Sequence, residues 1–521
     1  PPFSSGVYTW WHWMNGNITK DGITRDLEAM KANGIAGYQL FEAGSGIPIG
    51  PVESLSDEWV DLILHTLKES ERLGLEFAMH NCPGWSSSGG PWITPDKAMQ
   101  IITWSETKIT GGKQVRIQLP TPKHMFDYYI DTYCLAIPAN MKVIPRLSIL
   151  ELSNRLDKDG VLTWDVPTGE WLIMRFGQTA KDQKNKSAPS KSTGLDCDKF
   201  STEALDYHLN CMFKRLMPTM EKIAKHSKIG LLIDSYETGD QDWTSDMPAY
   251  FEQSHGYELY PFLPVLANKI VESEESTKRF LFDFRRVRAD MFAERYYGHF
   301  QKRCKEKGII TYTEPYGGNM MEELQVAQQL DINMGEFWCG QTVLWANYKY
   351  NRTVKQVASI VHTLGGKVVG AEAFTSEPDA DKWLQYPYAL KSLGDYMFTR
   401  GLSRIYFHRF AHQPHPTAAP GMTMGAWGLH FDRTNTWWKP GKAWIEYLNR
   451  CQYIFQSSTF YGDILYHNGD DSFGSTIEPE QTLLAPPEGY DYDMVNTEML
   501  DKAHTVSYTH LRAHETVLDL V

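Results

Sequence analysis

Residues 56–80, SDEWVDLILHTLKESERLGLEFAMH, predict a helix followed directly by a strand. The helix begins at Ser56, which is followed by two acidic residues, and it ends at Gly74. Serine and acidic residues are common at the start of a helix, and glycine is common at its end. The apolar run at 75–80 is typical of a buried strand. A helix, a glycine and a strand in this order are typical of the βαβ units that build parallel sheets.

The same order of elements recurs along the chain. Eight apolar runs predict strands, at residues 8–13, 35–42, 75–80, 229–234, 309–314, 331–336, 367–372 and 403–408. Helical patterns accompany them, at residues 24–33, 56–73, 202–225, 278–307, 321–329, 353–364, 384–400 and 441–455. Eight parallel strands separated by helices form a (β/α)8 TIM barrel, so the sequence predicts an α/β fold of that type.

The alternation is interrupted between residues 99 and 180, where short strands and turns occur without a good helix. We expect an antiparallel β domain there, inserted after strand 3, and a Lys/Ser-rich return loop at 181–193 that its charge run predicts to be solvated. The predicted organisation has the barrel's first part (strands 1–3) at 1–98 and the insertion with its return loop at 99–193. The barrel's second part follows at 194–458, the start of a post-barrel domain at 459–505 and a tail at 506–521 that we expect not to be native.

Composition excludes several classes of protein. The 521 residues include 51 basic and 64 acidic side chains, a net charge of −13, which argues against a nucleic-acid partner. No apolar run is long enough to predict a membrane span. The seven cysteines are scattered and never spaced C-x-x-C, so we expect free buried thiols. No signal peptide is visible, but Pro1 is not a natural start, so export is left open.

Chemistry in a TIM barrel lies at the carboxyl ends of its strands. A single carboxylate at a strand end is usually a solvated loop residue or a helix cap. Acidic side chains at most of the ends need another explanation, because packing like charges together is unfavourable. The polar residues at or just after the predicted strand ends are His12, Asn15, Glu42, His80, Asn81, Asp234, Tyr236, Glu237, Glu314, Glu336, Glu372, His408 and Arg409.

Carboxylates and aromatic rings with few cations suit a neutral polar ligand, and sugars are the obvious class. The tryptophans in or near these rim segments are Trp10, Trp11, Trp13, Trp85, Trp92 and Trp338. Each alone fits a core position better than a sugar platform, but together they favour a carbohydrate.

A catalytic zinc is the less favoured alternative. His408, His412 and His415 cluster after the last strand, yet the first strand carries a single histidine and no H-E-x-x-H helix is present. The serine-rich run at 86–90 is not followed by G-K-[ST], and G-x-S-x-G is absent, so phosphate-loop and serine-hydrolase chemistry have no support.

Six ordered motifs resemble glycoside hydrolase family 106, the α-L-rhamnosidases, and the resemblance covers residues 7 to about 500. The motifs lie at 11–19, 80–92, 194–199, 232–237, 313–317 and 370–376. The resemblance implies a barrel with an inserted β domain and calcium-assisted, inverting hydrolysis of terminal α-L-rhamnosyl linkages. It also implies an extracellular or periplasmic bacterial enzyme that acts on plant-type polysaccharide. The family is longer at its C-terminus, with further β-rich domains.

Inverting hydrolysis needs one carboxylic acid and one carboxylate base, about 6.5–9.5 Å apart. Glu237 and Glu372, at the ends of strands 4 and 7, are the expected pair, and the resemblance places catalytic glutamates at these motifs. Which one is the acid is left open. Glu336 is a third candidate, as catalytic partner, calcium ligand or substrate anchor, and the calcium ligands are not assigned.

We expect the remaining site residues to bind substrate, with the inserted domain and the return loop near Asp198 walling the pocket. They are His12, Trp13, Asn15, Glu42, His80, Asn81, Trp85, Asp198, Asp234, Tyr236, Glu314, Tyr316, His408, Arg409 and His412. Two alternatives stay open: a retaining, β-galactosidase-like barrel with carboxyl groups about 5–5.5 Å apart, and an inactive carbohydrate-binding protein.

Overall fold

The computed structural model describes most of residues 1–502. The exceptions are 45, 86–87, 225–227, 340–343, 377–382, 425–427, 471–475, 477 and 480–484, and for 344–351 it describes the backbone alone. The predicted tail at 506–521 lies outside the described residues.

Eight parallel strands close into a barrel, which confirms the predicted fold. The strands are β1 (Tyr8–Met14), β2 (Gly37–Ala43), β3 (Glu76–His80), β4 (Ile229–Ile233), β5 (Ile310–Thr313), β6 (Ile332–Cys339), β7 (Val369–Ser376) and β8 (Arg404–Ala411). Each strand pairs with its neighbours in the chain order, and β1 pairs with both β2 and β8, which closes the ring.

Helices follow the strands and cover the outside of the barrel. They are α1 (Lys20–Ala32), α2 (Asp57–Leu73), α3 (Thr202–Phe213), α4 (Met217–Ile223), α5 (Met247–His255), α6 (Leu263–Leu266), α7 (Glu274–Met291), α8 (His299–Lys305), α9 (Glu323–Ala327), α10 (Leu344–Thr363), α11 (Pro387–Thr399), α12 (Lys442–Ser457) and α13 (Thr497–Asp501). In α2 the Ser56 hydroxyl accepts a hydrogen bond from Trp59 N, and Gly74 ends the helix with φ 65°, as predicted.

The boundaries of several helices differ from the prediction for local reasons. α1 begins earlier because the Thr19 side chain caps it. The single helix predicted at 202–225 is two helices, and the second has Pro218 in its first turn, where proline is tolerated. The long helix predicted at 278–307 contains a π-helical segment, Phe292–Gly298, between α7 and α8.

The segment between β3 and α3 forms antiparallel sheets, as expected for the insertion. Gln100–Thr110, Glu170–Ala180, Ile130–Pro138 and Leu150–Glu151 form one sheet, and Lys113–Gln118 pairs with Val161–Val166. The return loop is not simply solvated, so that prediction is wrong in part. Asn185 and Ser192 are buried, because the Asn185 amide donates hydrogen bonds to Pro83 O and Ser192 O.

Beyond α12, two short parallel strands, Ile464–His467 and Tyr492–Val495, pack beside the barrel. Lys355 and His362 of α10 contact the carboxylates of Asp491 and Asp493 at 2.8 and 3.1 Å. These ion pairs fix the start of the post-barrel segment against the barrel wall. The domain boundaries themselves stay predictions.

The interior of the barrel is filled by a cluster of buried side chains, most of them large, below the candidate site. They are Tyr8, Trp10, Ala36, Phe41, Ala78, Leu232, Tyr312, Met334 and Tyr406. All seven cysteines are free, as predicted, although Cys211 and Cys451 are only partly buried. Within the described residues, no helix combines the length and apolar character needed to cross a membrane.

Candidate active site

A cavity of about 360 Å³ lies at the carboxyl ends of the barrel strands. Its lining comprises Trp10, His12, Trp85, Lys186, Asp234, Ser235, Glu237, Glu336, Trp338, Glu372, Thr375, His408 and Met424. A larger cavity of about 500 Å³ lies beside Val369 and Ser403, near the opposite ends of the strands, and none of the described residues that line it is a carboxylate. Barrel chemistry lies at the carboxyl ends, so the smaller cavity is the candidate active site.

Glu237 is the most exposed of the carboxylates in this cavity. Its Oε2 accepts a hydrogen bond of 3.2 Å from Trp85 Nε1, and Lys186 Nζ lies 2.7 Å from the same oxygen. Lys186 belongs to the return loop. The insertion therefore brings a cation to the mouth of a pocket that is otherwise acidic.

Glu372 lies deep in the cavity and is almost fully buried. Its carboxylate accepts a short hydrogen bond from Thr375 Oγ1, and His408 Nδ1 lies 3.3 Å from its Oε1. Burial, followed by the nearby charges of Glu336 and Asp234, raises the pKa of Glu372 well above its usual range, and the Thr375 hydrogen bond opposes the shift.

Three further carboxylates complete the acidic cluster. The Tyr316 hydroxyl lies 2.6 Å from Glu314 Oε2 and 3.0 Å from Glu336 Oε2, so it connects the residue that follows β5 with a residue of β6. Burial and then the charge of Asp234 raise the pKa of Glu314 well above its usual range. Burial and then the charge of Glu237 do the same to the pKa of Asp234. The carboxyl groups of this cluster are therefore crowded together, and ionising all of them at once is unfavourable.

Histidines and tryptophans form the other walls. Burial, with neighbouring cationic groups as the smaller cause, lowers the pKa of His12 and of His408 well below the usual range. Trp10 stacks on Phe41 at 4.5 Å between ring centroids. Among the described residues, His12 Nδ1 and Trp10 Nε1 are buried without a hydrogen-bond partner.

The cavity brings together part of the predicted site. All three predicted catalytic glutamates line it, together with His12, Trp85, Asp234 and His408, and Glu314 and Tyr316 lie behind them. The catalytic and binding roles themselves stay predictions.

The other predicted binding residues hold the surrounding structure and do not line the cavity. Trp13 is fully buried in the core, and the Asn15 amide donates to Ile47 O. Glu42 accepts hydrogen bonds from Ser54 and Trp59. Asp198, expected at the pocket wall, accepts hydrogen bonds from Thr244 and Gln241. Five more of the predicted binding residues are likewise held outside the cavity lining by hydrogen bonds. The pairs are His80 with Cys82, Asn81 with Leu232, Tyr236 with Gly239, Arg409 with Thr423 and His412 with Asp26.

Four lining residues were not predicted: Lys186, Ser235, Thr375 and Met424. Ser235 and Thr375 lie within three positions of predicted carboxylates, so a wider window at each strand end would have found them. Lys186 and Met424 lie on long loops, whose path over the barrel no local sequence signal determines.

The arrangement suits acid–base cleavage of a glycosidic bond. Two carboxyl groups enter one pocket from β4 and β7, which lie on different sides of the ring, and aromatic rings face the space between. Such a pocket at the carboxyl face of a (β/α)8 barrel is typical of glycoside hydrolases.

Comparison with known proteins identifies the family within that class. A family model described as alpha-L-rhamnosidase matches residues 1–129 and 123–518, so the chain belongs to glycoside hydrolase family 106. This confirms the resemblance found in the sequence. A curated protein of Formosa agariphila, named "Putative beta-glucuronidase", is 39% identical over 96% of this chain and 44% of its own length.

Two solved structures support the fold. A rhamnosidase from Novosphingobium sp. PP1Y has 24% identity and a TM-score of 0.87, covering 96% of this chain and 64% of that one. A beta-galactosidase from Rahnella sp. R3 has 12% identity and a TM-score of 0.52, covering 95% of this chain and 66% of that one. The chain thus spans less than half of its curated relative and about two thirds of these solved chains.

Proposed function

We propose that the chain hydrolyses terminal α-L-rhamnosyl linkages with inversion, using Glu237 and Glu372 as the acid–base pair. The observation that carries the proposal is the shared cavity, into which both carboxyl groups project from opposite parts of the barrel. Membership of the rhamnosidase family supports the choice of sugar. The methyl group that distinguishes rhamnose would find apolar surface on Trp10 and Met424.

The depths of the two glutamates suggest their roles. The leaving group must exit through the mouth, where Glu237 lies beside Lys186, so we assign Glu237 as the acid that protonates the leaving oxygen. Lys186 must release Glu237 before that carboxyl group can donate a proton. Glu372, deeper and beside His408, would then accept a proton from the attacking water.

A calcium ion would suit this cluster in its chemistry. Calcium prefers oxygen ligands, and Glu314 Oε1 is buried without a hydrogen-bond partner among the described residues. Within the same part of the chain, no three His, Cys, Asp or Glu side chains form a metal site by themselves. Glu314 and Glu336 would therefore hold the ion together with water and substrate oxygens. When bound, calcium would offset the carboxylate charge and orient sugar hydroxyls.

The relative's name makes a β-glucuronide the second candidate substrate. A glucuronide carries its own carboxylate, and among the described residues the cavity is lined by four acidic side chains and one lysine, which already contacts Glu237. Adding a glucuronide's negative charge beside carboxyl groups whose own ionisation is already unfavourable would be costly, and this favours the neutral deoxy sugar.

The test is hydrolysis of nitrophenyl α-L-rhamnoside, β-D-galactoside and β-D-glucuronide, each with chelator and with calcium restored. We expect rhamnose release that chelator abolishes, with the β anomer appearing first by NMR. Turnover of the galactoside or glucuronide without the rhamnoside would overturn the choice of sugar, and the α anomer first would overturn inversion.

We also propose an extracellular or periplasmic location and a plant-type polysaccharide as the natural substrate. Both rest on the family resemblance. Fractionation of the producing cells and release of rhamnose from such a polysaccharide would test them.

A further inference from the structure

An exposed aromatic patch, formed by Trp383, Tyr386 and Tyr388, lies on the segment that leads into α11 and on its first turn. Trp383 is 51% exposed and Tyr388 83%. The rings of Tyr386 and Tyr388 are stacked, with centroids 6.5 Å apart and planes 18° apart. Clustered exposed rings of this kind commonly mark a binding surface.

A chain of contacts connects the Trp383 end of the patch to the wall of the active-site cavity. The Trp383 ring packs on His430, with centroids 5.9 Å apart. His430 follows Leu429, whose N–H donates a 2.7 Å hydrogen bond to the carbonyl of His408, and His408 lines the cavity. Gly428 N donates in the same way to Ser376 O, at the end of β7. The patch therefore belongs to the same face of the barrel as the catalytic glutamates.

The exposed rings of the patch indicate what it binds. Gln385 lies between Leu384 and Tyr386 and is only 9% exposed, and its amide oxygen and nitrogen are buried without a hydrogen-bond partner among the described residues. His430 Nδ1 is buried in the same way. These polar atoms are covered, so a ligand would contact the exposed rings, and aromatic faces suit the apolar face of a sugar ring.

We propose that this aromatic patch is a second carbohydrate-binding surface, which holds the sugar units on the leaving-group side of the bond that is cut. This proposal rests on the proposed function, because the proposed function identifies the bond that is cut. The substrate class is an oligosaccharide or polysaccharide chain, since a lone terminal sugar with a small leaving group would not extend from the cavity to Trp383.

Kinetics with two substrates provide the first test. Trp383→Ala and Tyr388→Ala should each raise KM about tenfold for a tetrasaccharide that ends in α-L-rhamnose, and leave KM for nitrophenyl rhamnoside unchanged. Tyr396→Ala is the matched control, because Tyr396 is also on α11 and 52% exposed but outside the patch. Wild-type kinetics in both patch variants, or an equal loss in the control, would overturn the proposal.

A binding measurement separates this proposal from the identity of the cleaved sugar. Glu237→Gln, with and without Trp383→Ala, is titrated calorimetrically with the rhamnose-terminated tetrasaccharide, cellotetraose, mannotetraose and a galactan tetrasaccharide. We expect at least one to bind about tenfold more weakly without Trp383. If nitrophenyl rhamnoside is not cleaved but such binding is seen, the proposed function fails and the surface stands. If no tetrasaccharide shows Trp383-dependent binding, the surface is overturned whatever the enzyme cleaves.

Discussion

Glu237 and Glu372 show how two identical side chains acquire different properties within one cavity. Glu237 is at the mouth, with Lys186 and Trp85 as its partners. Glu372 is buried, and its environment favours the protonated form. To act as a base, Glu372 must be ionised, and a positive charge nearby would favour its ionised form. The proposed calcium ion would supply that charge.

Replacing either glutamate by glutamine should lower turnover of nitrophenyl rhamnoside at least about 100-fold, the usual contribution of general acid–base catalysis. An activated dinitrophenyl leaving group needs no proton, so it should restore most of the activity of Glu237→Gln and little of that of Glu372→Gln. Initial rates with both substrates provide the measurement, with the exposed Glu170→Gln as the control. Restoration of the Glu372 variant instead would reverse the two roles.

Glu42 should make stability depend on pH. Burial raises its pKa to about 7, against hydrogen bonds from Ser54 and Trp59 that lower it. The folded protein therefore binds this proton more tightly than the unfolded chain does. The stability that it contributes is complete below about pH 4.5 and is lost as the pH rises through 7.

The free energy of unfolding of Glu42→Gln should accordingly gain about 2 kcal/mol relative to the wild type between pH 5 and pH 8. Urea unfolding at several pH values measures this, with the exposed Glu58→Gln as the comparison. A difference between variant and wild type that stays constant with pH would contradict the assignment.

At the scale of elements, a buried hydrogen-bond network ties α1 to the loop after β8. Asp26 of α1 contacts Arg433 Nε at 2.7 Å and His412 Nδ1 at 2.8 Å, and it accepts hydrogen bonds from Trp11 Nε1 and Gln413 N. Met424 lies on this loop and lines the cavity. The network therefore supports the site from outside the barrel.

Asp26→Ala should lower the free energy of unfolding by about 3 kcal/mol or more, because it leaves the buried Trp11 and Gln413 donors without an acceptor and the partly buried Arg433 without its carboxylate. Asp21→Ala, which removes an exposed pair with Arg25 on the same helix, should leave the denaturation midpoint unchanged. Equal midpoints for both variants would show that the network contributes nothing to stability.

The sequence predicted elements better than it predicted contacts between them. The eight barrel strands were found because each combines a continuous apolar run with a helix signal such as Ser56 or Gly74. Glu237, which follows β4, and Glu336 and Glu372, which lie within β6 and β7, were found because barrel geometry brings the carboxyl-terminal parts of the strands together. In the sequence, Asp198 and Glu42 look like the carboxylates that line the cavity. In the structure, hydrogen bonds from residues distant in the sequence hold them elsewhere, and no local sequence pattern predicts those partners.

At the scale of the whole molecule, the proposed calcium site would link activity to global stability. If calcium binds Glu314 and Glu336 in the folded protein alone, it must stabilise that state by mass action, by about 2.7 kcal/mol at 100 times its dissociation constant. The melting temperature should therefore rise on adding calcium and fall with chelator. Scanning calorimetry checks this, and Glu314→Gln should abolish the rise. An unchanged melting temperature in the wild type would remove calcium from the proposal.

Closure of the ring by β1 and β8 also determines when this protein can fold. The Thr9 hydroxyl donates to Phe407 O across 398 positions of the chain. At roughly 5–20 residues per second, the ribosome needs about 20–80 s to supply that partner after the first strand emerges. Until then β1 has an unpaired edge rich in tryptophan, which is prone to aggregation. We therefore expect this protein to be most prone to aggregation during synthesis, when a chaperone or the insertion would shield the partly formed barrel.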